Sequence, residues 1–364
     1  MIAAFGRLLD RWRGGGQFAV TVPPMDGVLS PNQAIEEAPV VLSLAAPDNL
    51  VADGGAILFS SGGAVHRLDL KGGAAASDEI ARWERPVSAL ALGPGGALAA
   101  GLDGRGIAVR GGRHDGRTLT SVGGRPVVAP TALSFLDADT LLVALGSQQN
   151  AAAHWRRDLM QKNATGSVWR CDLPTGKAAC LADRLAWPAG LLPGADGSVV
   201  VSESWRSRLV RVAAGETPAE ILADVTGYPG RLAPARDGGA WLSVFAPRSQ
   251  LVEFVLREDD YRASMMRELD EAHWIAPTLE PAHSFLEPMQ FGGLKQLGVL
   301  KPWAPTRSYG LVIGLDADGE PRSSFHSRAD GRRHGTTSAV EVGGTLLAAS
   351  RGGDAIIAIP LPAE

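Results

Sequence analysis

Few side chains in this sequence sit where they could do chemistry, and they are scattered along it. His334 lies in Arg332-Arg333-His334-Gly335 just before an apolar run. An imidazole there could act as a general base; the plain alternative is a solvated loop histidine. His154 opens His154-Trp155-Arg156-Arg157-Asp158. Its guanidiniums would make a rim that attracts anions, or a charge cluster balanced by Asp158. Glu203 falls within a strand, in Val201-Ser202-Glu203-Ser204, and reads as a packing carboxylate before it reads as a catalyst. Arg85, Gln148, Gln149, Asn150, Trp205, Arg206, Arg307, Tyr309, Thr336 and Thr337 fall at strand starts or in adjoining loops, and are expected near one common mouth.

The sequence contains no His-Glu-x-x-His, no paired Cys-x-x-Cys, no phosphate-cradling Gly-x-x-x-x-Gly-Lys loop and no Gly-x-Ser-x-Gly elbow. Gly72-Gly73-Ala74-Ala75-Ala76 reads as a flexible connector. Cys171 and Cys180 flank a hairpin turn, 172–177, and could face each other across it; two reduced thiols are the expectation. A net charge of -4 gives no basic field to draw nucleic acid or acidic lipid. No stretch approaches the roughly 20 apolar residues of a membrane helix. The run 1–13 is interrupted by Asp10 and lacks a small-residue cleavage site, so a cytoplasmic location is expected. That run could form a short amphipathic helix, frayed or docked on a partner or membrane surface.

The elements that must position these residues announce themselves by repetition. Six times an apolar run meets a Gly- or Asp-bearing turn and a second apolar run follows: 50–59, 90–98, 133–143, 191–201, 232–242 and 339–347. Third and outer strands follow most of these hairpins. The period, roughly 40–60 residues, is that of propeller blades. The predicted fold is all-β: a six-bladed β-propeller with four-stranded blades. The N-terminal strand, 38–45, closes the last blade and leaves no free edge. A helical insertion between blades 5 and 6, about 258–308, carries Tyr261, Met265 and Leu269 at helical spacing. It then becomes Pro-rich around Trp274, Phe285, Phe291 and Trp303, and would serve as a lid or rim, or as a plain surface helix. The run 251–256 is expected to share the third strand of blade 5 with 309–315. Residues 1–36 are expected to be an extension, and 37–364 a single propeller.

Four pieces in order carry a family resemblance: Trp187-Pro188-Ala189-Gly190 with Val201-Ser202-Glu203-Ser204; Gly227-Tyr228-Pro229-Gly230-Arg231-Leu232; Tyr309-Gly310-Leu311-Val312; and Thr337-Ser338-Ala339-Val340-Glu341-Val342-Gly343-Gly344. With Arg156-Arg157-Asp158, they make the chain resemble bacterial members of the strictosidine-synthase-like family over about 44–361. That family lies within the gluconolactonase- and paraoxonase-type six-bladed propellers. The resemblance implies an axial Ca²⁺ site built from the first residues of the inner strands, where the metal polarises a lactone or ester carbonyl. Those positions fall on Asp48, Thr131, Ala189 and Arg231. One carboxylate beside a guanidinium is no calcium site, so the metal site is expected to be lost and no cofactor is expected. The glutamate of strictosidine synthase itself falls on about Thr337, with Glu341 four residues further on, so that condensation is not expected either.

What remains is a charge replacement. Arg231 could pair with Asp48 and plug the vacated site, or could bind a ligand's carboxylate or carbonyl as the metal would. The expectation is a metal-independent lactone or ester hydrolase with Asp48, Arg231 and His334 as catalytic residues. Thr131, Arg85, His154, Arg156, Trp205, Arg307, Tyr309 and Thr337 would bind the substrate. The alternative is a non-catalytic propeller holding an anionic metabolite in an Arg-lined pocket. A small molecule, not nucleic acid, is the expected partner.

Overall fold

Strands apolar on both faces can bury both only when each sheet is packed between two others. The computed structural model describes residues 22–53, 55–70, 75–282, 294–296, 299–301 and 307–362, and it forms this arrangement: six four-stranded antiparallel sheets around one axis. The inner strands are Pro47–Asp53, Val87–Gly93, Pro130–Phe135, Pro188–Pro193, Gly227–Pro234 and Thr336–Val342. Each touches the next, and the sixth returns to the first. The strand Thr140–Leu145 shows the packing rule. Leu141, Val143 and Leu145 face blade 2 with Ile107 and Trp169, while Leu142 and Ala144 face blade 4 with Leu191 and Val201. This two-residue alternation serves two cores at once.

The ring closes as the sequence predicts. Val40–Ser43 is the outer strand of blade 6 and pairs antiparallel with Ala355–Pro360 near the C-terminus. Residues before it lie across blade 5. Asn32 donates its side-chain amide to the Ser324 carbonyl and accepts from the His326 N–H, covering the outer strand Pro321–His326.

Every inner strand has an irregular register where it starts, as at Asp48/Val51, Val87/Ala89, Pro130/Ala132, Pro188/Gly190 and Thr336/Ser338. A bulge turns an extra side chain out of the ladder, here toward the axis. Side chains at or beside these positions, and Ser202 on the second strand of blade 4, join each blade to its neighbour. Asn49 Nδ2 donates to the Val87 carbonyl at 3.0 Å and Ser88 Oγ to Pro130 at 2.6 Å. Thr131 Oγ1 donates to the Pro188 carbonyl. Ser202 Oγ donates to Gly230 at 2.6 Å, Arg231 Nη1 to Thr337 at 3.2 Å, and Ser338 Oγ accepts from the Leu50 N–H at 2.9 Å. All six blade junctions are thereby bridged.

Three sequence expectations change. The helical insertion lies inside blade 5, between its second strand Ala240–Pro247 and third strand Leu311–Leu315, rather than between blades 5 and 6. The run 251–256 belongs to a helix, Gln250–Arg257, capped by Ser249, whose hydroxyl accepts from the Val252 N–H. A second helix, Asp259–Glu268, follows. Cys171 and Cys180 do not face each other: Cys171 pairs with Ala178, Cys180 with Trp169, and both are free thiols. The segment 1–13, Phe285, Phe291 and Trp303 lie outside the described residues. No described helix is long and apolar enough to cross a membrane.

Candidate functional site

The bulges aim Asp48, Ser88, Thr131, Ala189, Arg231 and Thr337 into one axial cavity of about 210 Å³. At its centre Asp48, buried at the start of blade 1, meets two guanidiniums. Arg231 Nη1 lies 2.9 Å from Oδ1, and Arg351 Nη1 lies 2.9 Å from Oδ2. The Asn49 N–H also donates to Oδ1 at 2.7 Å. Burial pushes the Asp48 carboxyl up, but the charges of Arg231 and Arg351 outweigh it and hold the group below the ordinary carboxylate range. It is an anion at neutral pH.

The two arginines differ. Arg231 donates onward to the Thr337 and Ser88 carbonyls, so its fork is largely committed to blades 2 and 6. Burial lowers its pKa and the Asp48 charge partly restores it; a guanidinium remains charged regardless. Arg351, after the second strand of blade 6, keeps 43% of its side chain exposed and so can turn to a ligand. Asp103 also lines the cavity, its oxygens accepting from the Ala152 and Ala153 N–H groups.

Another part of the lining is apolar. Trp155 comes from the blade 3 insertion, Trp187 from the entry to blade 4, Phe245 from blade 5, and Leu279 from the blade 5 insertion. Trp187 has φ +62°, an unusual left-handed conformation for a bulky residue. Trp205 stands behind them, stacked on Trp187 with centroids 5.1 Å apart and on Trp155 at 6.2 Å.

Of the residues named from the sequence, Asp48, Arg231, Thr131 and Thr337 come together on the cavity wall. Trp205 supports the wall without lining it. The others do not join. His334 is buried away from the cavity: Nε2 donates to the Arg328 carbonyl at 2.8 Å, leaving Nδ1 to accept from Ser308 at 2.7 Å. Both ring nitrogens are engaged, so it is not the axial base. Arg85 and His154 are exposed beside the mouth and do not line it. Arg156 pairs with Glu271 of the insertion at 3.2 Å. Arg307 is buried, donating to the Ala272 and Ala276 carbonyls. Tyr309 is buried against His326, with 3.2 Å from its hydroxyl to Nδ1. Glu203 is a packing residue, accepting from the Ala186 N–H and from Arg206 and Arg208.

Sequence reasoning missed Arg351, Asp103, Ser88 and the Trp155–Trp187–Phe245 wall. Ser88 could have been found by aligning the second cassette's start with the others. Arg351 carried no such signal, because 303 positions separate it from Asp48 and only ring closure brings them together.

Known proteins show the same architecture. No family model and no curated protein matches the sequence. Among solved structures, a gluconolactonase from Xanthomonas campestris is similar with a TM-score of 0.55 and 14% identity, covering 89% of this chain and 88% of that one. A provisionally assigned gluconolactonase is similar with a TM-score of 0.53 and 13% identity, covering 91% and 96%. At such identities the likeness establishes the fold alone, a six-bladed propeller.

Proposed function

We propose that the axial cavity binds a small carbonyl-bearing molecule and hydrolyses a lactone or ester without a metal. The observation that carries this reading is the Asp48 carboxylate held on the cavity wall between Arg231 and the half-free Arg351. Arg351, with Arg231, would polarise the carbonyl and meet the oxyanion as it develops. Water attacks the carbonyl carbon and gives its proton to Asp48. The bond to the leaving oxygen then breaks, and Asp48 returns the proton to that oxygen. The products are a hydroxy acid from a lactone, or an acid and an alcohol from an ester.

The donor set supports metal independence. Ca²⁺ takes about six to eight oxygen ligands. Here the converging positions offer one carboxylate already bound to two cations, a Thr131 hydroxyl committed to a carbonyl, a methyl group at Ala189 and a guanidinium at Arg231. The order of the sequence pieces around Trp187–Gly190 and Gly227–Leu232 supports placing the chain in the strictosidine-synthase-like branch of this fold. A second reading, a pocket that only binds a carboxylate, is favoured by one specific feature: both Asp48 oxygens are engaged and no histidine lines the cavity among the described residues.

A panel of lactones and aryl esters, followed by acid release, tests the proposal. Hydrolysis that falls at least tenfold in Asp48→Asn and in Arg351→Ala is the expected result. Hydrolysis indifferent to both overturns the site, and binding of the product acids without turnover establishes the second reading.

A further inference from the structure

The cavity lining combines two unlike groups of side chains, and together they specify a ligand class. One is the Asp48–Arg231–Arg351 group with the hydroxyls of Ser88 and Thr131, both of which already donate to carbonyls, and the Asp103 carboxylate, whose oxygens already accept from the Ala152 and Ala153 N–H groups. The other is apolar: Trp155, Trp187, Phe245 and Leu279. A ligand rich in hydroxyls would press them against indole and phenyl faces and lose their bonds to water, which costs free energy for each unpaired group. A flat apolar body would instead bury itself against these rings and gain from stacking.

The wall is also braced. Trp205, behind Trp187 and Trp155, donates its indole N–H to Asp158 Oδ1 at 2.9 Å. Asp158 is fully buried, and its other oxygen accepts from Asn150 and Asn163 at 2.9 Å each. On the same short helix, Arg156 and Arg157 pair with Glu271, and Arg157 lies 5.0 Å over the Trp274 ring. The Arg-Arg-Asp segment, which no step of hydrolysis uses, thus ties the aromatic wall to the insertion that contributes Leu279.

We infer that the axial pocket takes a ligand with a flat, apolar (aryl) body and an anionic or carbonyl head, in preference to a polyhydroxylated one, and that Asp158 is a positioning residue for the aromatic wall. This deepens the axial-site reading above and rests on it. The head meets Arg351 and the body lies against the faces that Trp155, Trp187 and Phe245 turn to the cavity; Trp155 and Phe245 themselves touch edge to face at 5.4 Å. A cavity of about 210 Å³ lies below the usual ligand-site range of about 300–1,000 Å³, which limits the body to about one ring.

Calorimetric titration of the full chain with phenylacetate, 2-phenylethanol and gluconate tests this without any need for turnover. Phenylacetate is expected to bind at least tenfold more tightly than gluconate. Trp155→Ala should weaken phenylacetate and 2-phenylethanol alike by about tenfold. Arg351→Ala should weaken phenylacetate alone. Asp158→Leu should lose phenylacetate affinity and Asp158→Asn, which keeps an acceptor for the indole, should retain it; if Asp158→Leu does not fold, Asp158→Asn and Trp155→Ala carry the test. Gluconate binding as tightly as phenylacetate, or phenylacetate affinity untouched by Trp155→Ala, overturns the inference. Hydrolysis is scored separately. Phenylacetate binding with no ester turnover removes the hydrolase reading and leaves the ligand class. Turnover of a sugar lactone without phenylacetate binding does the reverse.

Discussion

A single carboxylate keeps two guanidiniums at the axis, and charge dictates what its removal does. Asp48→Ala leaves Arg231 beside an emptied site with only carbonyls for partners, and breaking a buried pair in this way costs on the order of 3 kcal/mol. Arg351→Ala removes a more exposed partner and should cost less than about 1 kcal/mol. Urea unfolding of the two variants compares the losses; an Asp48→Ala loss no larger than that of Arg351→Ala would contradict a buried Asp48–Arg231 pair. A second residue-scale prediction concerns pH. Tyr309 donates to His326 Nδ1, His326 Nε2 donates to Ser324 Oγ, and Ser324 donates to the Val28 carbonyl, a chain that requires neutral imidazole. Burial pushes His326 down to about 4, and pushes His334 down as well. Between about 6.5 and 4 the unfolded histidine binds a proton that the folded one does not, so stability is full above that window and falls as pH drops through it. The loss from His326 approaches about 3 kcal/mol. Unfolding curves that superimpose between pH 7.5 and 4.5 would contradict this.

At the scale of elements, the strand Val40–Ser43 carries more than its length suggests. It covers Ala355–Pro360, which is otherwise an apolar edge with Ile356, Ile357 and Ile359. An uncovered edge of that kind templates pairing with other chains. A truncation beginning at residue 45 is expected to self-associate and to melt several degrees lower, whereas one beginning at residue 22 keeps both this strand and the segment over blade 5 and should stay monodisperse relative to the full chain. Light scattering distinguishes them, and equal behaviour would deny the closure its role. The sequence made this strand legible because apolar runs with turn residues between them repeat, and a closed ring must be completed from one terminus. It did not make the bulges legible: a register shift depends on the partner strand, and nothing in Pro130-Thr131-Ala132 alone says that Thr131 leaves the ladder. The helix Gln250–Arg257 was misread for a related reason. A short run such as Leu251-Val252-Glu253-Phe254-Val255-Leu256 suits either strand or helix. Burial of Val252 and Val255 against Tyr228 and Phe245 settled it as a helix.

For the molecule as a whole, the ring is what turns scattered residues into a site. Asp48, Arg231 and Arg351 belong to blades 1, 5 and 6, and only closure brings them within ion-pair distance. Asp48 and Arg231 were legible because the family resemblance implies axial side chains at the first residues of the recurring inner strands; His334 precedes an inner strand too, but its loop folds back onto Ser308 and Arg328 rather than over the axis. The same closure sets the metal behaviour of the fold. On the charge-replacement proposal, Ca²⁺ brought to Asp48 would meet repulsion from Arg231 and competition from Arg351 for that carboxylate. Millimolar Ca²⁺ or a chelator is therefore expected to leave the melting temperature unchanged within a degree, since a ligand stabilises only the state it binds. Reversing the charge gives the complementary case. Arg231→Asp combined with Ala189→Asn places a second carboxylate and an amide beside Asp48, and its melting temperature should rise with added Ca²⁺. A Ca²⁺-dependent rise in the unaltered chain would show that the arginines yield to the metal, and would overturn the charge-replacement argument at its base.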